Sequence, residues 1–109
     1  EFLWSEEMAD ASVYILENIN FTDTFSPSAR EVRNCHINIG TGKEISIRDL
    51  AMLIASTIGY QGAINFDTTK PDGTMRKLTD VSKLHNLGWH HKVEIDEGVA
   101  RLYQWYLHN

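Results

Sequence analysis

Apolar residues recur at the three- and four-residue spacing of one helix face in the first half of the chain. One such stretch follows Ser5 and ends near Asn20. Another follows Ser46 and ends at Gly59. We expect the two serines to cap these helices and the glycine to end the second. The apolar positions are Met8, Ala11, Ile15 and Ile19 in the first predicted helix and Ile47, Leu50, Ala51, Ile54 and Ile58 in the second.

The second half of the chain predicts two more helices. Asp80 is expected to cap a short helix, and Trp89 follows that helix as an apolar anchor. The last helix is predicted to start near Asp96, because acids favour the first turn of a helix. Aromatic residues at helical spacing are more often core than recognition surface, so we expect Trp105 and Tyr106 to be buried with Trp89. The inward positions are Val81, Leu84 and Leu87 in the short helix and Ile95, Val99, Leu102 and Tyr106 in the last.

Two short segments predict β-strands. Residues 36–39 alternate polar and apolar side chains and run into the turn Gly40–Gly42, and residues 63–66 form the second segment. The predicted order is therefore α-β-α-β-short α-α, which is an α/β fold class. Two single strands between helices make a poor sheet by themselves, so we expect them to extend a sheet supplied from elsewhere. The polar stretch 22–33 is expected to be a mobile loop.

The chain has the length and composition of one globular domain. Its 109 residues are 42% hydrophobic and 23% charged, with a net charge of −5 and one cysteine, Cys35. The negative charge argues against nucleic acid as a partner, and no apolar run approaches the length of a membrane span. A single cysteine fits a reducing compartment, so we expect a cytoplasmic protein. Because the sequence begins with Glu1 and the apolar segment Phe2–Trp4, without a methionine, we expect a piece of a longer protein.

Three other patterns are weak candidates for a site. The turn Gly40–Gly42 lacks the third glycine of a dinucleotide fingerprint and the Gly-Lys-Ser/Thr of a phosphate loop, so we expect a plain turn and no cofactor site. Adjacent His90 and His91 point to opposite sides of an extended segment and have no cysteine or carboxylate at zinc spacing, so no metal site is expected. Cys35 is interpreted as a small buried side chain rather than a nucleophile.

The segment from Lys70 to Lys77 is the strongest candidate site. It places three cations, Lys70, Arg76 and Lys77, and one acid, Asp72, in a predicted loop. Lysine binds a diphosphate as a point charge and arginine binds it as a fork. A carboxylate accepts hydrogen bonds from sugar or ribose hydroxyls. The loop is therefore suited to a diphosphate and a sugar, and a solvated surface loop is the alternative.

Several segments resemble the extended short-chain dehydrogenases/reductases, and together they cover essentially the whole chain. The opening EFLWSEEMADA, residues 1–11, is similar to that superfamily's EFL-x-x-(D/E)DMADA segment. Residues 36–42 resemble the strand and turn that follow it, residues 80–89 its short helix ending in LGW, and residues 97–106 its last helix. Within the superfamily, residues 66–78, FDTTKPDGTMRKL, resemble the GDP-L-fucose synthase family.

That resemblance implies the C-terminal substrate-binding domain of a larger enzyme. In the family, an N-terminal Rossmann domain binds NADP and carries the Ser-Tyr-x-x-x-Lys and Cys/His catalytic groups, and none of these matches a residue here. The enzyme epimerises C3 and C5 of GDP-4-keto-6-deoxy-D-mannose and reduces the C4 ketone with NADPH. We therefore expect residues 1–109 to be one GDP-sugar-binding domain that is catalytically silent alone. The parent is expected to be a homodimer through upstream helices.

The resemblance also implies roles for the loop residues. Lys77 matches the family's lysine near the substrate diphosphate, and Asp72 matches its acid facing nucleotide or sugar hydroxyls. Lys70 stands where related sugar-nucleotide epimerases place an arginine for the diphosphate. Arg76 is included as a neighbour of these residues. No residue of the chain is expected to be catalytic or to bind the cofactor.

Two alternatives remain open. The chain could be a stand-alone domain that binds a protein or a free nucleotide without turnover. It could also belong to an enzyme that acts on another GDP- or UDP-sugar. An exposed apolar patch around Phe2, Leu3 and Trp4 would favour part of an enzyme over a stand-alone domain, because large exposed patches usually mark a missing partner.

Overall fold

A computed structural model describes residues 1–109 as helices joined by irregular segments. Each α-helix lies in a stretch where apolar periodicity predicts one. No helix combines the length and the apolar content that a membrane crossing requires. The elements are α1 (Ser5–Asn18), a 3₁₀ helix (Phe21–Thr24), α2 (Ile47–Ile58), α3 (Ser82–Asn86) and α4 (Ile95–His108).

The ends of α2 are those that the sequence predicts. The Ser46 hydroxyl accepts a hydrogen bond from the Asp49 amide at 3.0 Å, and Gly59 closes the helix with a φ of 74°. Glycine adopts this left-handed conformation without the steric cost that a Cβ brings. The prediction for α1 is wrong by one residue, because Ser5 is the first helical residue and Trp4 holds the cap position. No side chain caps α1.

The two predicted strands do not form, so the predicted α/β class is not realised within this chain. Residues 36–39 and 63–66 are irregular and make no ladder hydrogen bonds. A strand is stable only when a neighbouring strand pairs with its backbone groups, and the chain supplies none for either segment. Side chains hold the first segment instead: the Asn38 amide donates to the Asp80 carbonyl at 3.1 Å.

Lys83 of α3 joins the end of the 3₁₀ helix to the irregular segment that contains Asn34 and His36. Its ammonium group donates hydrogen bonds to the Thr24 and His36 carbonyls at 3.0 Å and to the Asn34 carbonyl. Asn34 has a φ of 55°, the only positive φ at a residue other than glycine. The polar stretch 22–33, predicted as a loop, is therefore tied to α3 at both of its ends.

The core lies where α1 meets α3 and the residues that follow α3. The Trp89 indole N–H donates to Asp10 at 2.8 Å, and the Tyr14 hydroxyl donates to the Leu87 carbonyl at 2.7 Å. The polar ends of both large side chains thus find partners while their rings pack. The fully packed residues at the centre of this core are Ala11, Leu84 and Trp89.

Helices α2 and α4 pack against each other as a second layer. Neither contains a buried residue. Trp105 is 62% exposed and Tyr106 is 71% exposed, so the prediction that both belong to the core is wrong, whereas Trp89 is buried as predicted. The reason is that α4 carries apolar residues on more than one side, and α2 covers only one of them.

The chain is expanded for its length. Its radius of gyration is 18.1 Å, and only 9 of 109 residues are buried. A compact domain of this length would have a radius of gyration of about 13 Å. Phe2, Leu3 and Trp4 line an apolar groove of about 290 Å³ beside α2 and α4. Of these three residues Phe2 is exposed, whereas Leu3 and Trp4 are half-buried, so the expected exposed patch is present only in part.

Candidate functional site

Residues 67–80 form an irregular loop that leads into α3, and every side chain from 67 to 78 is exposed. The loop begins with a turn in which Asp67 Oδ1 accepts hydrogen bonds from the Thr69 amide at 3.0 Å and the Thr69 hydroxyl at 2.6 Å. The hydroxyl and amide of Thr69 lower the pKa of the Asp67 carboxyl. The carboxylate therefore stays ionised and fixes the backbone just before Lys70.

Lys70, Asp72 and Lys77 lie on this loop with exposed side chains. None of the three side chains makes a hydrogen bond or an ion pair within the chain, although the Lys70 amide donates to the Asp67 carbonyl at 3.3 Å. A ligand that meets these groups displaces no partner from within the protein. The structure thus brings the predicted residues onto one exposed loop.

Arg76 differs from the other loop cations because it is already paired. Its Nε donates to Glu44 Oε2 at 3.3 Å, and its Nη2 donates to Oε1 of the same carboxylate. Hydrogen bonding to Glu44, and then the charge of Glu44, raises the pKa of the guanidinium. The pair is solvent-exposed, so it stabilises the fold little, but its forked geometry fixes the loop against residue 44.

Glu1 holds the other end of the loop. Its Oε2 accepts hydrogen bonds from the Gly42 amide at 2.7 Å and the Thr41 amide at 3.1 Å, and its Oε1 accepts one from the Thr79 amide at 3.2 Å. Burial raises the pKa of Glu1, but hydrogen bonds from Thr79, Gly42 and Thr41 together outweigh it and lower the pKa. One ionised carboxylate therefore joins residue 1, the glycine turn and the end of the loop.

Lys43 connects the same turn to the start of α4. Its ammonium group pairs with Glu94 Oε1 at 2.6 Å, and His91 Nε2 lies 3.1 Å from that oxygen. The hydrogen bond from Lys43 lowers the pKa of Glu94, with burial opposing it and His91 adding to it. Residues 41–44 thus contact Glu1, the loop and the start of α4.

Two open clefts flank the loop. One of about 400 Å³ lies between Arg76 and Ser46 at the start of α2. The other, of about 440 Å³, lies between Gly42, Thr79 and His85. Both volumes lie within the range of small-molecule sites, about 300 to 1,000 Å³.

The histidine pair and its neighbour form a packed cluster. The His85 and His90 rings stack with their centroids 4.1 Å apart, and no three His, Cys, Asp or Glu side chains converge as metal ligands would. His85 Nε2 and His91 Nδ1 are buried without a hydrogen-bond partner. Burial, then the nearby His90 and His91, lowers the pKa of His85, so its ring is neutral at neutral pH. Cys35 is half-buried.

The glycine turn is filled by side chains of the chain itself. Gly42 has a φ of 70°, which confirms the interpretation as a turn that needs glycine. A Cβ at Gly42 would lie 2.8 Å from Val81 Cγ2. Because the amides of Thr41 and Gly42 already bind Glu1, the turn presents neither amide to a phosphate.

Sequence reasoning missed the two acids that fix this site, Glu1 and Glu44. Glu1 and Thr79 are separated by 78 positions, and Glu44 and Arg76 by 32. Spacing arguments apply to residues that are neighbours on one helix or one strand pair, so no local signal connects such distant groups. The acids are visible in the sequence, but their partners are set by the tertiary fold.

Comparison with known proteins relates the chain to enzymes that act on GDP-sugars. GDP-L-fucose synthase of Escherichia coli K12 is 44% identical over 109 residues, which is all of this chain and 33% of that enzyme. The chain thus spans about a third of the length of the curated relatives it matches. No model of a protein family matches the chain.

Solved structures give the same relationship. A GDP-6-OMe-4-keto-L-xylo-heptose reductase of Campylobacter jejuni superposes with a TM-score of 0.91 and 42% identity, over 99% of this chain and 30% of that one. A GDP-mannoheptose C4 reductase of the same organism, solved with NADP bound, gives 0.85 and 40%, over 98% and 31%. The resemblance therefore extends over the whole of this chain, with similar three-dimensional structure.

Proposed function

We propose that this chain, a relative of GDP-L-fucose synthases and GDP-heptose reductases over its full length, is the sugar-nucleotide-binding region of an NADPH-dependent epimerase/reductase. One observation carries the proposal: loop 67–80 is anchored through Arg76 and Thr79, and the side chains of Lys70, Asp72 and Lys77 make no hydrogen bond or ion pair within the chain. An anchored loop with free cations is suited to a diphosphate.

The reaction favoured by the resemblance is that of GDP-L-fucose synthase. GDP-4-keto-6-deoxy-D-mannose is epimerised at C3 and C5, and its C4 ketone is reduced with NADPH to give GDP-L-fucose. In this proposal Lys77 and Lys70 neutralise the diphosphate as point charges. Asp72 accepts a hydrogen bond from a sugar or ribose hydroxyl. Arg76 lies beside the diphosphate and keeps its ion pair with Glu44.

The residues of this chain do not fit the nicotinamide cofactor. Its only glycine-rich turn has the Thr41 and Gly42 amides bound to Glu1, so a pyrophosphate would have to displace a charged side chain that accepts several hydrogen bonds. We assign NADPH binding and the catalytic groups to the remaining two thirds of the enzyme, and no hydride or proton transfer to residues 1–109.

The finer architecture follows from this assignment. Residues 1–109 form one C-terminal substrate domain, and an N-terminal Rossmann domain completes the enzyme. Residues 36–39 and 63–66 become strands when the rest of the protein supplies the neighbouring strands that they lack here. The enzyme is cytoplasmic and forms a homodimer through helices outside this chain.

Enzyme activity tests the proposal directly. The polypeptide encoded by the complete open reading frame is mixed with NADPH and GDP-4-keto-6-deoxy-D-mannose, and NADPH oxidation is followed by absorbance with GDP-L-fucose identified by mass spectrometry. We expect turnover by this polypeptide and none by residues 1–109 alone. A complete polypeptide that binds the sugar nucleotide without oxidising NADPH would contradict the proposal.

A GDP-4-keto-heptose is the second candidate substrate. The structural match to a GDP-6-OMe-4-keto-L-xylo-heptose reductase, with 42% identity, is about as strong as the match to the fucose synthase. Competition between the two keto-sugars in the same assay decides between them: the physiological substrate has the higher kcat/KM. Both substrates carry GDP, so the loop plays the same part in either case.

The open apolar groove disfavours a stand-alone binding domain. Phe2 is 47% exposed and Leu102 is 55% exposed along this groove, which has no cover within the chain. Exposed apolar surface along a groove is more typical of a segment that packs against further protein than of a stand-alone domain.

A further inference from the structure

The Glu1 carboxylate is the point where the candidate loop joins the rest of the molecule. It accepts backbone amides from two segments far apart in sequence, the turn at Thr41 and Gly42 and the loop end at Thr79. A Cβ at Gly40 would lie 2.9 Å from Glu1 Oε2, so the carboxylate sits directly against the backbone of the turn.

Both anchors of the loop end on the same short segment. Glu1 ties Thr79 to residues 41 and 42, and Glu44 ties Arg76 to the end of that segment. Lys77 lies between the two anchored residues. Its backbone position is therefore set by the anchors, while its own side chain remains free.

We propose that Glu1 is a positioning residue of the sugar-nucleotide site, holding the loop so that Lys77 meets the diphosphate. The inference rests on the proposed function, because it names what the anchored loop binds. Glu1 itself touches no substrate in this proposal. Its effect is to order the loop before the ligand arrives, which lowers the entropy cost of binding.

A change at Glu1 should therefore weaken substrate binding more than it slows turnover. In Glu1→Gln the amide offers one acceptor oxygen, and its NH₂ group faces backbone N–H donors that need an acceptor. In the complete enzyme we expect the KM for the GDP-keto-sugar to rise about tenfold, with kcat changed less than about twofold, as for lost ground-state binding. The KM for NADPH should stay unchanged.

Glu7→Gln is the matched control. Glu7 is also a carboxylate that accepts backbone amides, those of Lys92 and Val93, but it makes no contact with the loop. It should lower stability while leaving the KM for the GDP-keto-sugar unchanged. Equal KM values in wild type and Glu1→Gln, an equal KM shift in both variants, or a fall in kcat at constant KM would each overturn the proposal.

Limited trypsin digestion of the same proteins tests the anchor without any substrate. Lys70 precedes Pro71 and resists trypsin, so Arg76 and Lys77 are the cleavable sites in the loop. We expect cleavage there to be at least about fivefold faster in Glu1→Gln than in wild type or Glu7→Gln, because a released loop opens more often. An unchanged cleavage rate in Glu1→Gln would overturn the role of Glu1. Faster cleavage along the whole chain would show unfolding instead of release of the loop and would also contradict that role. Absence of turnover in the wild type would refute the proposed function. The digestion needs no substrate, so it would still test whether Glu1 anchors the loop.

Discussion

Lys83, like Glu1, binds three backbone groups of this chain through one side chain. Its ammonium group donates hydrogen bonds to the carbonyls of Thr24, Asn34 and His36. In Lys83→Met the aliphatic stem remains and the three hydrogen bonds are lost. We expect the free energy of unfolding of the complete protein to fall by about 2 kcal/mol, as for charged hydrogen bonds.

Urea denaturation of the complete protein measures this change. Lys92→Met is the control, because the exposed Lys92 side chain makes no hydrogen bond or ion pair in the chain. The control should unfold at the wild-type midpoint. Equal midpoints for Lys83→Met and Lys92→Met, with an unchanged dependence of the unfolding free energy on urea, would contradict the prediction. Water would then replace the three hydrogen bonds of Lys83 without loss of stability.

His85 makes stability depend on pH. Its folded-state pKa is lowered by burial first and by His90 and His91 next, so the unfolded state binds a proton more readily. The contribution of neutral His85 is therefore present above the ordinary histidine pKa of about 6.5 and is lost as pH falls below it.

His85→Phe tests that dependence, because phenylalanine keeps a ring for the stack with His90 but has no proton to gain. We expect urea midpoints of the wild type to drop between about pH 8 and about pH 5.5, and the drop to be smaller in His85→Phe. His108→Phe, on the exposed end of α4, should keep the full drop. The prediction is refuted when all three proteins lose the same stability on acidification.

Among the helices, α2 is capped by the serine that the sequence pattern predicts as its cap, whereas α1 is not. Ser46 caps α2 through the Asp49 amide, whereas Ser5 is the first residue of α1 and caps nothing. Ser46→Ala should lower the free energy of unfolding by about 1 kcal/mol, the usual cost of losing an N-cap hydroxyl. Ser5→Ala should change it by less than about 0.5 kcal/mol. Thermal melts of the two variants in the complete protein make the comparison, and a larger loss in Ser5→Ala would contradict the assigned helix start.

The helices could be predicted from the sequence because their signals are local. Apolar spacing, Ser46 and Gly59 all act within a few residues of the helix that they define. The strands at 36–39 and 63–66 could not be settled in this way, because a strand is completed by a partner elsewhere in the sequence or outside it. The prediction that Trp105 is buried was wrong for the same reason. Periodicity shows which face of a helix is apolar, but it does not show what covers that face.

The candidate site also combines residues that local sequence reveals with residues that only the fold brings near. Lys70, Asp72 and Lys77, which we propose to face the ligand, stand close together in sequence and could be proposed from composition. Glu1 and Glu44, which hold the loop through Thr79 and Arg76, lie far away in sequence, and their contacts became visible only in the fold. Assignment of the three to a sugar nucleotide stays a prediction, which the structure makes chemically reasonable by leaving their side chains unpaired.

At the scale of the whole molecule, the open side of α4 is expected to be an interface with the rest of the complete protein. Trp105 is 62% exposed here and lines an apolar cleft with Ile54 and Ile58. Were this side exposed in the complete protein, Trp105→Lys would change the free energy of unfolding by less than about 0.5 kcal/mol. If further parts of the complete protein cover this side, Trp105→Lys should cost about 3 kcal/mol or more, because an unpaired charge would be buried. Denaturation of the complete protein decides, with Tyr60→Lys, exposed just after α2, as the control.

The central claim is that Lys77 and its loop bind the diphosphate of a GDP-sugar, and calorimetric titration of the complete protein with GDP tests it most directly. GDP carries the diphosphate without the reacting sugar, so binding is separated from chemistry. We expect the wild type and Lys92→Ala to bind GDP equally, and Lys77→Ala to bind it about tenfold more weakly, the loss typical of one charged contact. An affinity for GDP that is the same in all three proteins would remove Lys77 from the site and contradict the account.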